Sequence, residues 1–386
     1  MKIAIVANTA WYLYNFRLNL AKALRTAGHE IVFISPDDLY AARLQEAGFS
    51  HRHWPLSASG TNPLGEIRSI VALRRVFHAE KLDAVLSYTP KGNIYSGAAL
   101  FGHAGVLLPN ISGLGGVFSA GGPLAALVRV LYRLAISRRA AHVFFQNEDD
   151  MAKFVGAGII DPGRAERLMG SGVDLQRFQL RPLPSTVHGE PQKAVTFLLV
   201  ARLIPEKGIA EYVAAARVLR SQGVDAHFQL LGAADEGRGL SLAQIRAWQN
   251  EGVIEYLGTS DDVPQVMAQA DCLVLPSYYR EGVPRSLIEG AAMGRPVITT
   301  DMPGCRDVVQ PGITGWLCQP RSAESLREAL QEFLDMPRTQ RSLMGAKGRE
   351  RAVRLFDESA IIDRYVSTLL HHAKQAKRRD KARSSS

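Results

Sequence analysis

The chain has 386 residues, 46% hydrophobic and 22% charged, with a net charge of +9. That length accommodates two domains of ordinary size, and the composition is that of a soluble globular protein. No uninterrupted apolar stretch approaches membrane-spanning length, and three cysteines (Cys272, Cys305, Cys318) without metal-ligand spacing read as free thiols of a reducing compartment.

Met1 to Phe16 is apolar but interrupted by Asn8 and Asn15, and no cleavage site comes after it. It reads as a first strand and loop rather than a signal peptide. Lys2 to Asn8 (KIAIVAN) has the continuous apolar run of a buried parallel strand. Helical periodicity runs from Phe16 to Ala27, then a strand from Ile31 to Ser35 and a helix from Leu39 to Ala47. The alternation continues with helical Pro63–Ala79, strand Ala84–Tyr88, helical Asn93–Gly102, strand Val106–Ile111, a long basic helix opened by Pro123, strand His142–Gln146 and a helix from Glu148 to Gly156. Such alternation is the signature of an open α/β domain with a parallel sheet.

Leu180 to Lys193 (LRPLPSTVHGEPQK) breaks the rhythm and reads as a linker. Beyond it strands recur at Thr196–Val200, His227–Leu231, Ile254–Leu257, Cys272–Leu275, Val297–Thr299 and Gly315–Cys318, with helical stretches between them. Three helices close the chain: Ser322–Leu334, Thr339–Leu355 and Asp357 to about Ala376. The expected organisation is a first domain at 1–180, a linker at 181–193, a second domain at 194–356, a final helix at 357–376 and a basic tail at 377–386. Two α/β domains in tandem imply a cleft, and open α/β sheets bind ligands at the carboxyl ends of their strands.

The stretch YREGVPRSLIEGAAMGRP holds the densest candidate chemistry. Glu281 and Glu289 stand eight positions apart. Pro284 suits the first helical turn and Gly294 the stop. Leu287, Ile288, Ala291 and Ala292 share the packing face of that helix, and Arg285, Ser286 and Glu289 share the open one. The amides around Arg285 to Leu287 are unpaired donors at a positive helix end, which suits a phosphate. A carboxylate beside phosphate would repel it, so Glu289 reads as an acceptor from sugar hydroxyls. The same spacing also fits an amphipathic helix with two solvated glutamates.

Arg202 and Lys207, in VARLIPEKG just after the strand that opens the second domain, fit a diphosphate clamp or an ordinary surface pair. SGLGG at 112–116 and the glycines at 121–122 fit either close backbone approach to a ligand or a plain turn. The first loop, Asn8 to Tyr12, has no glycine, against the dinucleotide fingerprint of a dehydrogenase. No Cys-x-x-Cys, His-Glu-x-x-His, Walker lysine loop or Gly-x-Ser-x-Gly is present. Two basic stretches, Arg129–Arg139 (RVLYRLAISRR) and Lys374–Arg383 (KQAKRRDKAR), fit an anionic membrane surface, nucleic acid or plain solvation. The first has apolar residues at the spacing for shallow insertion.

Taken together, these stretches resemble the family 4 glycosyltransferases of GT-B fold. The resemblance rests on Glu281 to Glu289 with the adjoining GAAMGRPVITTDMPGCRDVV, on ARLIPEKG, and on YTPKGNIYSG, NISGLGGVF, FFQNEDD and GSGVDLQRF in the first half. The latter look like the subgroup of capsule, O-antigen and N-glycan assembly transferases acting on undecaprenyl-diphosphate-linked sugars. The resemblance covers about residues 1 to 370. It implies two Rossmann-like domains facing across a cleft, with the last helix crossing back to the first. The first domain would bind the acceptor and the second the nucleotide-sugar.

By the same resemblance Arg202 and Lys207 bind the donor diphosphate, Leu287 and Ile288 offer it backbone amides, Glu289 holds the ribose hydroxyls and Glu281 contacts the transferred sugar. Glu281, Arg202 and Lys207 are then the catalytic set. Many members carry a histidine in the loop after the strand at Val106–Ile111; here Asn110 and Ser112 stand there. Lys91, Asn93, Ser112 and Gly113 are the candidates for the acceptor side, and Arg129, Arg133, Arg138 and Arg139 for membrane contact. The expected protein is a retaining, metal-independent hexosyltransferase without a cofactor, peripheral on the inner face of the cell membrane. It would take a UDP-sugar, an N-acetylhexosamine among the candidates, to a lipid-diphosphate-linked saccharide, with no nucleic-acid partner. A nucleotide-sugar epimerase of the same architecture and a non-catalytic nucleotide-sugar-binding scaffold are the alternatives.

Overall fold

The computed structural model describes residues 1–56, 62–103, 105–114, 122–184, 194–234 and 239–384, with backbone alone for 379–384. The chain divides into two compact units, Met1–Leu168 with Ala360–Ser386, and Met169–Ser359. Each is a doubly wound α/β unit.

The first unit runs β1 (Lys2–Val6), α1 (Ala10–Thr26), β2 (Glu30–Ser35), α2 (Leu39–Glu46), β3 (Ser50–His53), α3 (Pro63–Glu80), β4 (Ala84–Tyr88), α4 (Pro90–Ala99), β5 (Val106–Ile111), α5 (Gly122–Ile136), β6 (Val143–Phe145), α6 (Glu148–Gly156) and β7 (Ala165–Arg167). Its seven strands lie in the order β3-β2-β1-β4-β5-β6-β7, all parallel. β1, β4 and β5 are almost entirely buried, which is why they read as unbroken apolar runs rather than alternating ones. One face of the sheet packs Leu73 and Phe77 of α3, Ile94 and Tyr95 of α4, Tyr132 and Ile136 of α5 and Phe154 of α6. The other packs Leu13, Leu20 and Leu24 of α1 and Leu44 of α2.

The second unit runs β8 (Val195–Val200), α7 (Ile209–Ser221), β9 (Ala226–Leu231), α8 (Leu242–Asn250), β10 (Glu255–Tyr256), α9 (Val263–Ala268), β11 (Cys272–Leu275), α10 (Arg285–Ala292), β12 (Val297–Thr300), α11 (Cys305–Val308), β13 (Gly315–Cys318), α12 (Ala323–Asp335) and α13 (Arg338–Phe356). Its parallel sheet has the order β10-β9-β8-β11-β12-β13. In both sheets the winding reverses beside the unit's first strand, between β1 and β4 and between β8 and β11. Such a reversal leaves a crevice at the strands' carboxyl ends.

The last helix, α14 (Glu358–Ser384), completes the first unit. Ile361, Tyr365, Leu369 and Ala373 enter the core that holds Ile3, Ile5 and Phe144. Arg364 pairs with Glu166, and the Asn110 amide donates to the Tyr365 hydroxyl at 2.5 Å. This is the expected return to the first domain, extended: the helix runs on through the basic stretch that the sequence suggested was a separate tail.

Three further expectations change. The boundary falls at Leu168 rather than 180. Val173 pairs with Asp357, and Phe178 lies in the second core, so 169–180 belongs to the second unit. The first helix begins at Ala10, with the Thr9 hydroxyl accepting from the Tyr12 amide, so Trp11 and Tyr12 lie in its first turn rather than in a loop. Strand β3 (SHRH) escapes the sequence pattern because an edge strand with only His51 buried has no apolar run. Most of the expected linker and the glycines at 115, 116 and 121 lie outside the described residues.

Candidate functional site

In the second unit three strand ends build one site. β8 ends at Val200, and after it Pro205–Lys207 forms a single 3-10 turn closed by Gly208 at φ +76°. A Cβ on Gly208 would sit 2.1 Å from the Pro276 carbonyl oxygen, so only glycine lets this turn lie against the loop after β11. That loop is tied back: the Tyr278 amide donates to the Glu206 carbonyl at 2.9 Å, and the Thr300 hydroxyl at the end of β12 donates to the Ser277 carbonyl. Gly304, at φ +85°, packs on the Gly282 carbonyl from the far side, 2.1 Å from where its Cβ would be.

Held this way, Lys207 and Glu281 meet. The Lys207 ammonium lies 2.6 Å from both Glu281 carboxylate oxygens, and the Ser277 hydroxyl donates to one of them at 3.0 Å. Lys207 is buried along its stem and Glu281 is half-buried, so this is a charge-assisted pair partly shielded from water. Behind it, burial pushes the Cys305 thiol up to about 12, with the Glu281 charge adding to the effect, so Cys305 is an inert thiol packed under the site. Arg202 is exposed, and its guanidinium pairs with none of the described residues.

The Glu281 loop runs directly into α10, whose N-cap is Pro284 and which has no side-chain cap. Its first amides have no acceptor within the helix and lie at the positive end of the dipole. The Ile288 amide is an exception among the expected donors. It closes the first helical turn onto the Pro284 carbonyl at 3.4 Å, so it is turned into the helix rather than toward a ligand. The Leu287 and Ile288 side chains are core. Glu289 sits one turn in and pairs with Arg285 at 2.7 Å. Burial raises its carboxyl above the ordinary range, and the Arg285 guanidinium pulls against that rise.

So the structure brings Lys207 and Glu281 into contact and puts Glu289 on the same helix end. Arg202 stands at the neighbouring strand end. Two partners were not singled out by sequence. Ser277 is one polar residue in a loop, with nothing in the pattern to mark it. Arg285 shares the Glu289 face by spacing, but the ion pair appears only in three dimensions.

The first unit corrects several expectations. Asn93 is buried, not ligand-facing: its amide donates to the Asn110 carbonyl at 2.9 Å and accepts from the Ser87 hydroxyl at 2.8 Å. Asn110, standing near the place of the family histidine, is equally buried, with its side chain spent on Tyr365 and Gln146. Lys91 pairs with Glu66 of α3 at 2.6 Å. Ser112 and Gly113 remain partly open beyond β5, and the next residue, Leu114, is anchored by its amide to Asp150 at 3.2 Å. Of the four arginines expected on a membrane, Arg139 turns inward onto the Leu100 and His103 carbonyls. Arg133 caps the Ala157 carbonyl while staying exposed, and Arg129 and Arg138 are exposed. Leu124, Leu127, Val130, Leu131 and Leu134 form an exposed apolar stripe on α5.

Two parallel-sheet, Rossmann-like domains, the second with a cation–carboxylate pair beside a helix end that has no side-chain cap, are the architecture expected of a GT-B glycosyltransferase. Known proteins agree. The model of the glycosyl transferase 4-like domain matches residues 15–169, and that of glycosyl transferases group 1 matches 184–351. The chain is 26% identical over 381 residues to the N,N'-diacetylbacillosaminyl-diphospho-undecaprenol alpha-1,3-N-acetylgalactosaminyltransferase of Campylobacter jejuni, covering 95% of this chain and 97% of the other. It is 21% identical over 280 residues to the UDP-Gal:alpha-D-GlcNAc-diphosphoundecaprenol alpha-1,3-galactosyltransferase of Escherichia coli, covering 70% and 71%. Among solved structures, Anabaena Alr3699/HepE in complex with UDP and glucose superposes with a TM-score of 0.77 at 18% identity, covering 96% of this chain and all of that one. The first half thus carries a glycosyl transferase 4-like domain and the second a domain of glycosyl transferases group 1, and the chain is a glycosyltransferase of GT-B fold.

Proposed function

We propose that the protein transfers a sugar, an N-acetylhexosamine among the candidates, from a UDP-sugar to a lipid-diphosphate-linked saccharide, with retention of anomeric configuration. The observation that carries this reading is the Lys207–Glu281 pair set beside the open end of α10. Lys207, Arg202 and the first α10 amides supply positive charge where a departing diphosphate gathers negative charge. They need no cofactor and no metal to do so. Glu281, held by Lys207 and Ser277, receives hydroxyls of the transferred sugar, and Glu289, steadied by Arg285, receives those of the ribose. The lipid-linked acceptor is suggested by the full-length likeness to the Campylobacter enzyme, whose name specifies an undecaprenyl-diphosphate sugar.

We place the protein on the inner membrane face, held by the α5 stripe and its arginines. No helix among the described residues is long and apolar enough to cross a membrane, so the contact is peripheral in this reading. The test is release of free nucleotide from a panel of UDP- and GDP-sugars, with and without undecaprenyl-diphosphate saccharides. Acceptor-dependent release that disappears in Arg202→Ala and Glu281→Ala is expected. Sugar isomerised without acceptor, or donor bound with no release, would overturn it.

A further inference from the structure

Helix α5 is not the only part of the first unit that leaves apolar side chains in water. On α3, Leu64, Ile67 and Val71 are exposed at three- and four-residue spacing, opposite the buried Ser69, Leu73 and Phe77. The arginines 68 and 75 fall in the same outward stripe. Helices α3 and α5 pack on the same face of the sheet with α4 between them, so both stripes point away from it. At the end of α4, Phe101 is 74% exposed. It is no frayed end: Arg74 of α3 donates to the Ala99 and Phe101 carbonyls, and Arg139 donates to those of Leu100 and His103. Two arginines from either side thus hold the short turn that projects a bare phenyl ring.

Across α4 and α5 the charge on this face has one sign, and its next acidic residues, Glu148, Asp149 and Asp150, open the neighbouring α6. No aspartate or glutamate occurs between Asp83 and Glu148, the span that contains all of α4 and α5. The two glutamates of α3 are neutralised, Glu66 by Lys91 and Glu80 by Lys2 and Arg52. Separate apolar residues on a monomer's surface are ordinary, but two stripes and a braced ring amid unopposed arginines are not. A protein partner matched to this face would need a concave acidic groove. A bilayer with anionic headgroups needs only that the apolar side chains reach the acyl boundary while guanidinium groups stay among the phosphates.

We infer that α3, the Phe101 turn and α5 form one docking surface for an anionic lipid bilayer, with α3 and Phe101 as essential as α5. This rests on the membrane reading above and adds to it. The helices of a doubly wound unit begin at the carboxyl ends of the strands, so Leu64 and Leu124 bring one margin of the docked bilayer to the edge where Ser112 and Gly113 emerge, while Phe101, past the end of α4, meets it at the opposite margin. A lipid-linked saccharide would therefore reach that edge from the bilayer without leaving it.

The experiment is co-sedimentation of the full chain with phosphatidylglycerol–phosphatidylcholine vesicles and with phosphatidylcholine vesicles. The variants are Leu64→Ser/Ile67→Ser/Val71→Ser, Phe101→Ser, Arg68→Glu/Arg75→Glu and, for comparison, Leu127→Ser/Leu134→Ser. All are surface changes, and unaltered melting in solution checks that each variant folds. We expect wild-type binding to require the anionic lipid and each variant to lower it about tenfold, as loss of two or three inserted aliphatic side chains, of one phenyl ring or of two cationic charges implies. Wild-type-like binding by the α3 and Phe101 variants, with loss in the α5 variant, would overturn the inference and leave the membrane reading standing. Wild-type binding that ignores anionic lipid would remove the membrane reading itself. A dimer in light scattering that the α3 changes dissolve, with no vesicle binding, would make a second copy of the chain the occupant instead.

Discussion

Glu281→Gln separates the two roles that meet in the Lys207–Glu281 pair. In the free protein both carboxylate oxygens are 2.6 Å from the ammonium, so the charge proposed to meet a diphosphate is already engaged. A diphosphate that reaches Lys207 must also approach the Glu281 carboxylate. Two like charges 4 Å apart repel by about 1 kcal/mol in water and about 4 kcal/mol at an effective dielectric near 20. Both side chains keep some contact with solvent, which argues for the lower part of that range. Taking about 1–2 kcal/mol, the glutamine variant should bind UDP roughly five- to thirtyfold more tightly, since each 1.4 kcal/mol is tenfold. Its turnover should still fall about a hundredfold or more, because the sugar loses its charged acceptor. Lys207→Met should lose both affinity and turnover. The assay is UDP titration by calorimetry beside acceptor-dependent nucleotide release. If Glu281→Gln weakens UDP binding as much as Lys207→Met does, the pair acts as one unit that orients the lysine, and the repulsion argument is wrong.

Other outcomes rest on the packing. Gly208→Ala puts a methyl 2.1 Å from the Pro276 carbonyl at a φ of +76°, so the turn must move. Strain of this kind costs about 1–3 kcal/mol, and donor turnover should fall along with the melting temperature. Gly97→Ala places its Cβ 2.3 Å from the Ala135 carbonyl and should prise α5 from α4; a fall of several degrees in melting temperature is expected, and unchanged melting would refute the contact. Burial holds the imidazoles of His29, His51, His103 and His142 below their ordinary 6.5, all in the first unit. The unfolded chain then takes up protons first, so stability is full above about pH 6.5 and is lost as pH falls through the lower folded values. Melting between pH 7.5 and 5.5 should show this, with a shallower slope in His51→Asn/His142→Gln; a flat wild-type profile would contradict it.

How much of this was legible in sequence depends on what set each element. β1, β4, β8 and β11 announced themselves because strands covered on both faces must be apolar throughout. The edge strand β3 carried no such signal. In the second unit the chemistry is local: Glu281, the cap Pro284 and Glu289 lie in one loop and helix, and VARLIPEKG in one turn, so residue type and spacing sufficed to propose the set. What spacing could not give was pairing. Nothing in the linear pattern places Ser277 on Glu281 or sets Lys207 on that carboxylate, 74 residues away. In the first unit Asn93 failed as a ligand contact because α4 is sunk between α3 and α5. Its depth depends on Gly97 meeting the Ala135 backbone, a long-range contact. Arg139 failed as a membrane cation for the same reason, since its carbonyl partners come from the turn after α4.

The last helix also bears on how the chain is made. The part of the first sheet that receives Ile361, Tyr365, Leu369 and Ala373, beside the part that α1 and α2 cover, stays bare until residues 169–359 have been synthesised. At roughly 5–20 residues per second, that interval is on the order of ten to forty seconds. Throughout it Phe144, the buried residues of β1 and the Asn110 amide await their partners in α14. The second unit, continuous in sequence, can complete its fold on the ribosome before the first, which is finished only once α14 has been made. A nonsense codon just before α14 would therefore damage the beginning of the protein more than its end.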